Sequence, residues 1–349
     1  MEHKKIRVAI TQGDTNGIGY EVILKALEDP MMLDLCTPII YGSPKVASFH
    51  RKAMELETQF QVINDADEAN PNRVNLLAAF DDEVKVEFGQ PTEESAEAAR
   101  KAMARAKEDL QKRLFDVLVT APVQASHNPP REDRALTVIA SNLVRVGLVT
   151  THLSLKEVAT ALSVEKIVDK GILFHTSLRR DFRISNPRIA VLALNPQLGS
   201  EEEQIIKPAV EALEQKGIQA FGPYVAEAFF ADGLYDSFDG VLALGDEQGD
   251  LPFKTLTHEY AIKLKAGISA VVVTPDQDPS FAIAGRGKAD PISMRQAIFT
   301  AIDMYRHRAE YDAPMGNPLP KLYHEKREDG DKARFAVRAK DQFKTPSEK

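Results

Sequence analysis

The apolar positions of the chain fall in short, β-branched runs that alternate with longer stretches of helical period. Residues 6–11 are followed by 21–27, 37–41 by 45–54 and 189–194 by 201–215, while 117–120, 241–244 and 270–274 are further strand-like runs. Such alternation predicts βαβ units and a largely parallel sheet with helices on its faces. The stretch 92–114 is rich in Ala, Glu, Lys and Arg, with opposite charges at i, i+4 such as Glu97 and Lys101, and predicts a partly exposed helix. In 291–308, Met294, Ile298, Ile302 and Tyr305 share one face and predict an amphipathic helix. Residues 326–349 are charged and poor in apolar side chains, as expected of a frayed tail. There is neither an internal repeat nor a Pro/Gly linker, so any domain boundary must be crossed by compact loops.

Composition narrows the class. With 349 residues, 43% hydrophobic and 28% charged, the chain is globular and long enough for two domains. No run approaches the ~18 apolar residues of a membrane span, and the apolar run after the charged start covers only 6–10, so neither a membrane segment nor a signal peptide is expected. The single cysteine, Cys36, excludes an internal disulfide and any multi-cysteine metal site, and it fits a reducing cytoplasm. A net charge of −8 argues against a nucleic-acid partner, because binding phosphates needs clustered Lys and Arg.

The passage 6–21, Ile-Arg-Val-Ala-Ile-Thr-Gln-Gly-Asp-Thr-Asn-Gly-Ile-Gly-Tyr-Glu, runs from a strand through a glycine-rich turn into a helix. Gly13, Gly17 and Gly19 permit positive φ and a close backbone approach to a ligand. The helix that follows offers its N-terminal N–H groups to an anion, and Asp14 places a carboxylate at the same edge as a candidate catalytic group. The spacing is not G-x-G-x-x-G, and an ordinary strand-to-helix turn has the same outline.

This turn resembles the opening of the 4-hydroxythreonine-4-phosphate dehydrogenase (PdxA-like) family, Gly-Asp-Pro-x-Gly-Ile-Gly-Pro-Glu, with Thr15 and Tyr20 at the two proline positions. The resemblance extends to about residue 325. It implies an α/β fold of the isocitrate/isopropylmalate dehydrogenase-like type, a two-domain parallel or mixed sheet with helices on both faces. The first domain would comprise 1–135 and 270–325, and the second, 136–269, would carry the interface of a homodimer. The implied activity is NAD-dependent oxidation and decarboxylation of a phosphorylated hydroxy amino acid in pyridoxal phosphate synthesis, assisted by a divalent metal (Zn, Mg or Mn).

The resemblance also assigns sites, several of them altered. Val119-Thr120-Ala121-Pro122 matches a Thr-Ala-Pro element, but by this resemblance the lysine that usually follows is absent and the substrate-binding His-Thr pair is deleted with its loop; His127 lies nearby as a substitute or a solvated loop residue. Thr150-Thr151-His152-Leu153 matches a metal-binding segment, so His152 is either a metal ligand or a cap of the 155–162 helix. Gln197 and Asp246 stand at the second and third metal positions, and with Asp250 they offer oxygen donors that suit Mg²⁺ or Mn²⁺ better than Zn²⁺. Lys254 and Gln248 match substrate-binding positions, Lys254 with a catalytic role, and an ammonium beside a phosphate is chemically sensible. Two more substrate positions, an asparagine and an arginine, fall on Lys263 and Val272. Gly285 and Gly287 close an Ile-Ala-Gly-x-Gly cofactor segment in which Gln277, Asp278 and Pro279 replace a His-Gly-Thr.

Three readings follow: a working dehydrogenase with a rebuilt metal site, a catalytically silent or engineered relative that keeps the scaffold, and a different metal- or phosphate-dependent enzyme on the same fold.

Overall fold

Every strand-like run of the sequence forms a strand, and six more strands join them. The computed structural model describes residues 5–81, 83–124, 135–257 and 261–316, so His127 and the 326–349 tail lie outside the described residues. In chain order the strands are β1 (Ile6–Thr11), β2 (Cys36–Gly42), β3 (Phe60–Ile63), β4 (Val74–Ala78), β5 (Val117–Thr120), β6 (Leu136–Ala140), β7 (Arg145–Leu148), β8 (Arg188–Leu192), β9 (Gln219–Tyr224), β10 (Gly240–Ala243), β11 (Ile262–Ala266) and β12 (Val271–Pro275). Among the described residues they form one 12-stranded sheet, ordered β3-β4-β2-β1-β5-β12-β11-β6-β7-β10-β8-β9.

The sheet has two parallel halves. In one, β3, β4, β2, β1, β5 and β12 pair in parallel. In the other, β7, β10, β8 and β9 do so. Helices cover both faces, so successive residues of a central strand are all buried and the strand reads as a continuous apolar run. Val8 and Ile10 of β1 enter one core cluster while Ala9, between them, enters another with Ile39 and Leu118. The halves meet through antiparallel pairs, β12 with β11, β11 with β6 and β6 with β7. Because each antiparallel pair reverses direction and there are three, the two parallel halves run in opposite senses.

The helices follow local chemistry. The Glu93–Gln111 helix starts at a capping box in which the Thr92 hydroxyl accepts the Ser95 N–H (3.1 Å) and the Ser95 hydroxyl accepts the Thr92 N–H (3.3 Å). It buries Ala96, Ala99, Ala102 and Ala106. The helix expected over 201–215 is divided: Glu202–Ile206 forms a wider π-type turn before the α-helix Lys207–Gln215. Pro208 has no N–H to continue an α-ladder into the preceding turn, a physical reason for the change of pitch. In the Ile292–Gly316 helix Met294, Ile298 and Ile302 are buried as expected. Tyr305 is instead 37% exposed and donates its hydroxyl to Asp116 (3.2 Å). The same helix carries Arg308, which donates to the Asp181 carboxylate (2.6 Å) and to the carbonyls of Ile268 and Ser269.

His50 is the buried group most exposed to pH. Its Nε2 hydrogen bonds the Thr15 carbonyl at 2.8 Å, and the rings of Tyr20, Phe49 and Phe88 surround it. Burial outweighs the Thr15 hydrogen bond and lowers its pKa from 6.5 to about 4. The unfolded chain therefore binds the extra proton first, and the stability is complete above pH 6.5 and lost as the pH falls toward 4. A shift of this size corresponds to about 3 kcal/mol. Urea unfolding across pH 4 to 7 should show a loss of that order in the native protein and a much flatter profile in His50→Phe; parallel profiles would refute the assignment.

Candidate active site

The glycine-rich turn is filled by the protein itself. Gly13 alone of its three glycines takes positive φ, at 73°, and a Cβ there would stand 2.6 Å from the Pro122 carbonyl oxygen. Gly17 lies against Pro279 and Gly19 against the Gln12 carbonyl, with hypothetical Cβ contacts of 2.8 and 2.3 Å. The expected approach of backbone to a ligand is thus an approach of backbone to backbone, and the glycines are needed because three segments converge where no side chain fits. The helix begins at Gly19 rather than Glu21, the Ile18 N–H donates to Pro279 (3.0 Å), and its first turn holds the buried Glu21, which accepts the Ala289 N–H (2.7 Å). Asp14 is 1% exposed, and its carboxylate accepts the Asn16 N–H (2.9 Å) and the Ser95 hydroxyl (3.2 Å). It organises the turn.

Around the second parallel half lie the positions expected to bind a metal. His152 follows β7 with a left-handed backbone, φ 55°, and its N–H donates to the Asp246 carboxylate, whose Oδ2 lies 3.8 Å from the imidazole Nδ1. The structure therefore joins His152 to Asp246, which opens the Asp246–Leu256 helix. His152 is not the cap of the Leu155–Ala161 helix: the Glu157 carboxylate there accepts the Ser154 N–H (3.0 Å) and hydroxyl (2.7 Å). Gln197 is exposed in the loop after β8. That loop is pinned by Glu202, a residue the sequence reading passed over, which accepts N–H groups from Leu194, Asn195 and Gly199 at 3.0, 2.9 and 2.7 Å. Burial opposes its charge, yet these donors outweigh it and hold its pKa below the usual value. Among the described residues no three His, Cys, Asp or Glu side chains are placed to hold a metal ion. Gln197, at the second position, is exposed in its loop and its amide donates weakly, so the residues present do not assemble a site that fits a divalent ion.

The Asp246–Leu256 helix borders a shallow groove of about 480 Å³ lined by Asp246, Glu247, Asp250, Leu251, Lys254 and Thr255. Lys254 is exposed there. Gln248, on the same helix, does not face it with a free amide: its Nε2 donates to the carbonyls of Ala193 (2.6 Å) and Leu194 (3.2 Å), and its Oε1 accepts the Leu244 N–H (3.2 Å). It ties the end of β8 to the end of β10. Gly249 allows this packing, since a Cβ there would meet the Leu148 side chain at 2.4 Å.

At the antiparallel joint, Lys263 of β11 lies opposite Thr274 of β12. Its ammonium is 2.8 Å from the Asp276 carboxylate and 3.9 Å from that of Asp250. Burial would lower the pKa of Lys263, but Asp276 and Asp250 outweigh it and raise the value, so the cation is held charged. Burial raises the pKa of Asp250 against the pull of Lys263 and Lys254. Beside them the hydroxyls of Thr120 and Thr274 share a 2.6 Å hydrogen bond across the ends of β5 and β12. In the sequence, the lysine at a family asparagine position and the acidic Asp250 are the hints of this cluster.

The family model described as pyridoxal phosphate biosynthetic protein PdxA matches residues 34–301. The chain belongs to the PdxA family. Among curated relatives, the 4-hydroxythreonine-4-phosphate dehydrogenase of Bacteroides thetaiotaomicron is 46% identical over 358 residues, covering 96% of this chain and 98% of the relative. The Synechocystis enzyme of the same name is 34% identical over 346 residues, covering 86% and 96%. The crystal structure of a 4-hydroxythreonine-4-phosphate dehydrogenase from Burkholderia phymatum superposes with a TM-score of 0.69 at 26% identity, covering 86% of this chain and 99% of that one. A Klebsiella pneumoniae structure of that name gives 0.70 at 25%, covering 86% and 100%. The PdxA resemblance carried by the glycine-rich turn and the later motifs therefore holds, as does the α/β class with a mixed sheet.

Of the cofactor glycines, both take positive φ, 73° at Gly285 and 66° at Gly287. A Cβ on Gly285 would strike the Phe88 ring at 2.5 Å, whereas Gly287 has open space around it. Gly285 therefore serves packing, while Gly287 is open.

If Gln248 is a backbone tie, Gln248→Ala leaves two partly buried carbonyls and an N–H without partners. The expected cost is about 1–3 kcal/mol. Urea denaturation should read it as a lowered midpoint, and an unchanged midpoint would remove the anchoring role.

Proposed function

We propose that this chain oxidises 4-hydroxythreonine-4-phosphate with NAD and thereby serves pyridoxal phosphate synthesis. The observation that carries the reading is the 46% identity to a dehydrogenase of that name along nearly the whole length of both chains. The exposed Lys254 is the cation among the described residues lining the groove, and it supplies the charge a phosphate needs. NAD, when bound, accepts the hydride; the open flank at Gly287 is the stretch of this chain suited to receive its backbone. Asp14 and Gln248, whose polar atoms are engaged by the fold, contribute by holding the turn and the strand ends in place.

The same reading takes the protein as a cytoplasmic homodimer of two-domain subunits. The division into 1–135 plus 270–325 and 136–269 is supported by the sheet, whose strands from β3 to β12 come from the first set and from β11 to β9 from the second. Among the described residues no helix is long and apolar enough to cross a membrane. The buried, reduced Cys36 suits a reducing compartment.

The test is formation of NADH, followed by absorbance, with 4-hydroxythreonine-4-phosphate as substrate. Lys254→Ala should raise KM about tenfold or more, the size of a charge-assisted contact, while the melting temperature stays unchanged because the side chain is exposed. A native protein that binds neither substrate nor NAD would sink the reading in favour of a silent relative.

A further inference from the structure

The helix that follows the glycine-rich turn is fastened to a loop far away in sequence by one buried ion pair. Lys25 stands four residues after Glu21 in the Gly19–Ala26 helix, and its ammonium donates to the Glu21 carboxylate at 2.8 Å. It also donates to the carbonyls of Gly287 (2.9 Å) and Ala289 (2.9 Å), and Glu21 Oε1 accepts the Ala289 N–H (2.7 Å). An ammonium has three N–H donors, so all are engaged, two of them on the one loop. The Glu21 side chain is 1% exposed and that of Lys25 19%, so this i, i+4 pair lacks the solvent screening of a surface one. The flanks of the loop are tied down as well: the Arg295 guanidinium donates to the Lys25 and Ala26 carbonyls, and the Ile18 N–H to that of Pro279. Between the buried Ala284 and Ala289, the tip leaves Arg286, Gly287 and Lys288 exposed in succession. Gly287 has a left-handed backbone and open space where a Cβ would stand, with a cation on either side of it in the chain. The Lys288 N–H shares a planar trans peptide with the Gly287 carbonyl, so drawing that carbonyl to Lys25 turns the N–H the opposite way, away from the ammonium.

We infer that Lys25 and Glu21 are positioning residues for the dinucleotide: they hold the Arg286-Gly287-Lys288 tip in the shape that receives its phosphates. This rests on the dehydrogenase reading above, in which NAD meets the chain at Gly287. Two cations beside a bare stretch of backbone suit phosphate oxygens, and neither Lys25 nor Glu21 is needed to touch them. A glycine at an exposed tip is free to take many conformations, and ordering it during binding weakens affinity. Holding the Gly287 and Ala289 carbonyls from the helix settles the conformation before the ligand arrives. It also keeps two acceptor oxygens engaged that would otherwise be free to face the phosphates and repel them. A pair that served stability alone could be replaced by apolar side chains of similar volume without loss. One that fixes the direction of loop peptides could not, and that difference is measurable.

The experiment compares the full native chain with two variants. The pair E21Q/K25M removes both charges together, so no buried charge is stranded, and the glutamine oxygen still accepts the Ala289 N–H. Lys25→Arg keeps a cation with donors for the two carbonyls. Trypsin cuts after Arg and Lys, so brief digestion of the folded protein, with fragments identified by mass, reads the order of the tip at the bonds after Arg286 and Lys288. Calorimetry measures NAD binding, and NADH formation gives kcat and the KM of each substrate. Cleavage at the two bonds should be slow in the native protein, slower with NAD, and about tenfold faster or more in the double variant. That variant should bind NAD about tenfold more weakly and raise its KM to match, with kcat and the KM for 4-hydroxythreonine-4-phosphate within about threefold; Lys25→Arg should recover most of the loss. A variant that was merely less stable would lose kcat through lost active protein and keep a native KM for NAD. Native NAD affinity or native cleavage rates in the double variant, or NAD binding that leaves the two bonds as open to trypsin as before, would overturn the inference and leave the dehydrogenase reading standing. Native protein that neither binds NAD nor forms NADH overturns that reading, and the inference with it.

Discussion

The joint between the two half-sheets is the constraint on which the rest depends. Parallel strands need crossover connections and coverage on both faces, so each half is a layered unit of its own. Fusing two such units of opposite direction into one sheet requires an odd number of antiparallel steps, and β12, β11, β6 and β7 supply three. That requirement places β11, which carries lysines at 263 and 265, in the middle of the sheet, where Leu264 and Ala266 are buried while the lysines find partners. Lys263 pairs with Asp276, and Lys265 donates to the Thr137 hydroxyl at 2.8 Å. The charged cluster is therefore a product of topology: the strand that closes the sheet is also the one that brings a cation to its centre. Arg308 reinforces the same region from outside, linking Asp181 to the backbone at Ile268 and Ser269 in the turn between β11 and β12.

A second constraint is crowding at the end of β1. Three segments, carrying Gln12, Pro122 and Pro279, press on Gly13, Gly17 and Gly19 so closely that any Cβ would clash with backbone. Backbone cannot move aside as a flexible side chain can, so these glycines are fixed by packing alone. The same logic separates Gly285, pressed on Phe88, from Gly287, which is open. A motif that in one context cradles a ligand here cradles the chain, and only the neighbours distinguish the two.

Much of the fold was legible because it obeys simple periodicities. The parallel strands are buried on both faces and announce themselves as apolar runs, and the Thr92 cap and the Met294, Ile298 and Ile302 stripe mark their helices. The antiparallel centre was missed for a physical reason: Ile-Lys-Leu-Lys-Ala and Leu-Thr-Val-Ile-Ala are short and partly polar, and nothing in a single strand encodes which partner will lie beside it. The site was legible only as motifs. That His152 would meet Asp246 followed from matching segments, but that Asp14 and Gln248 would spend their polar atoms on backbone and neighbouring side chains depends on distances no spacing reveals.

These roles form a consistent division of labour. Side chains that bind backbone, such as Asp14 in its turn and Glu202 and Gln248 in the first turns of their helices, act close to strand ends, where an unsatisfied peptide group is costly. Such groups are ill suited to bind a substrate, since a new partner would have to displace a hydrogen bond the fold relies on. Side chains with remaining capacity are different: Lys254 is open, and Lys263, though paired with Asp276 and Asp250, keeps 35% of its side-chain surface exposed. For an anionic substrate, recognition therefore falls to cations rather than to the polar residues that match the family pattern most closely. Asp250 feels the charge of both Lys254 and Lys263 and so couples the exposed cation of the groove helix to the cation at the joint of the sheet.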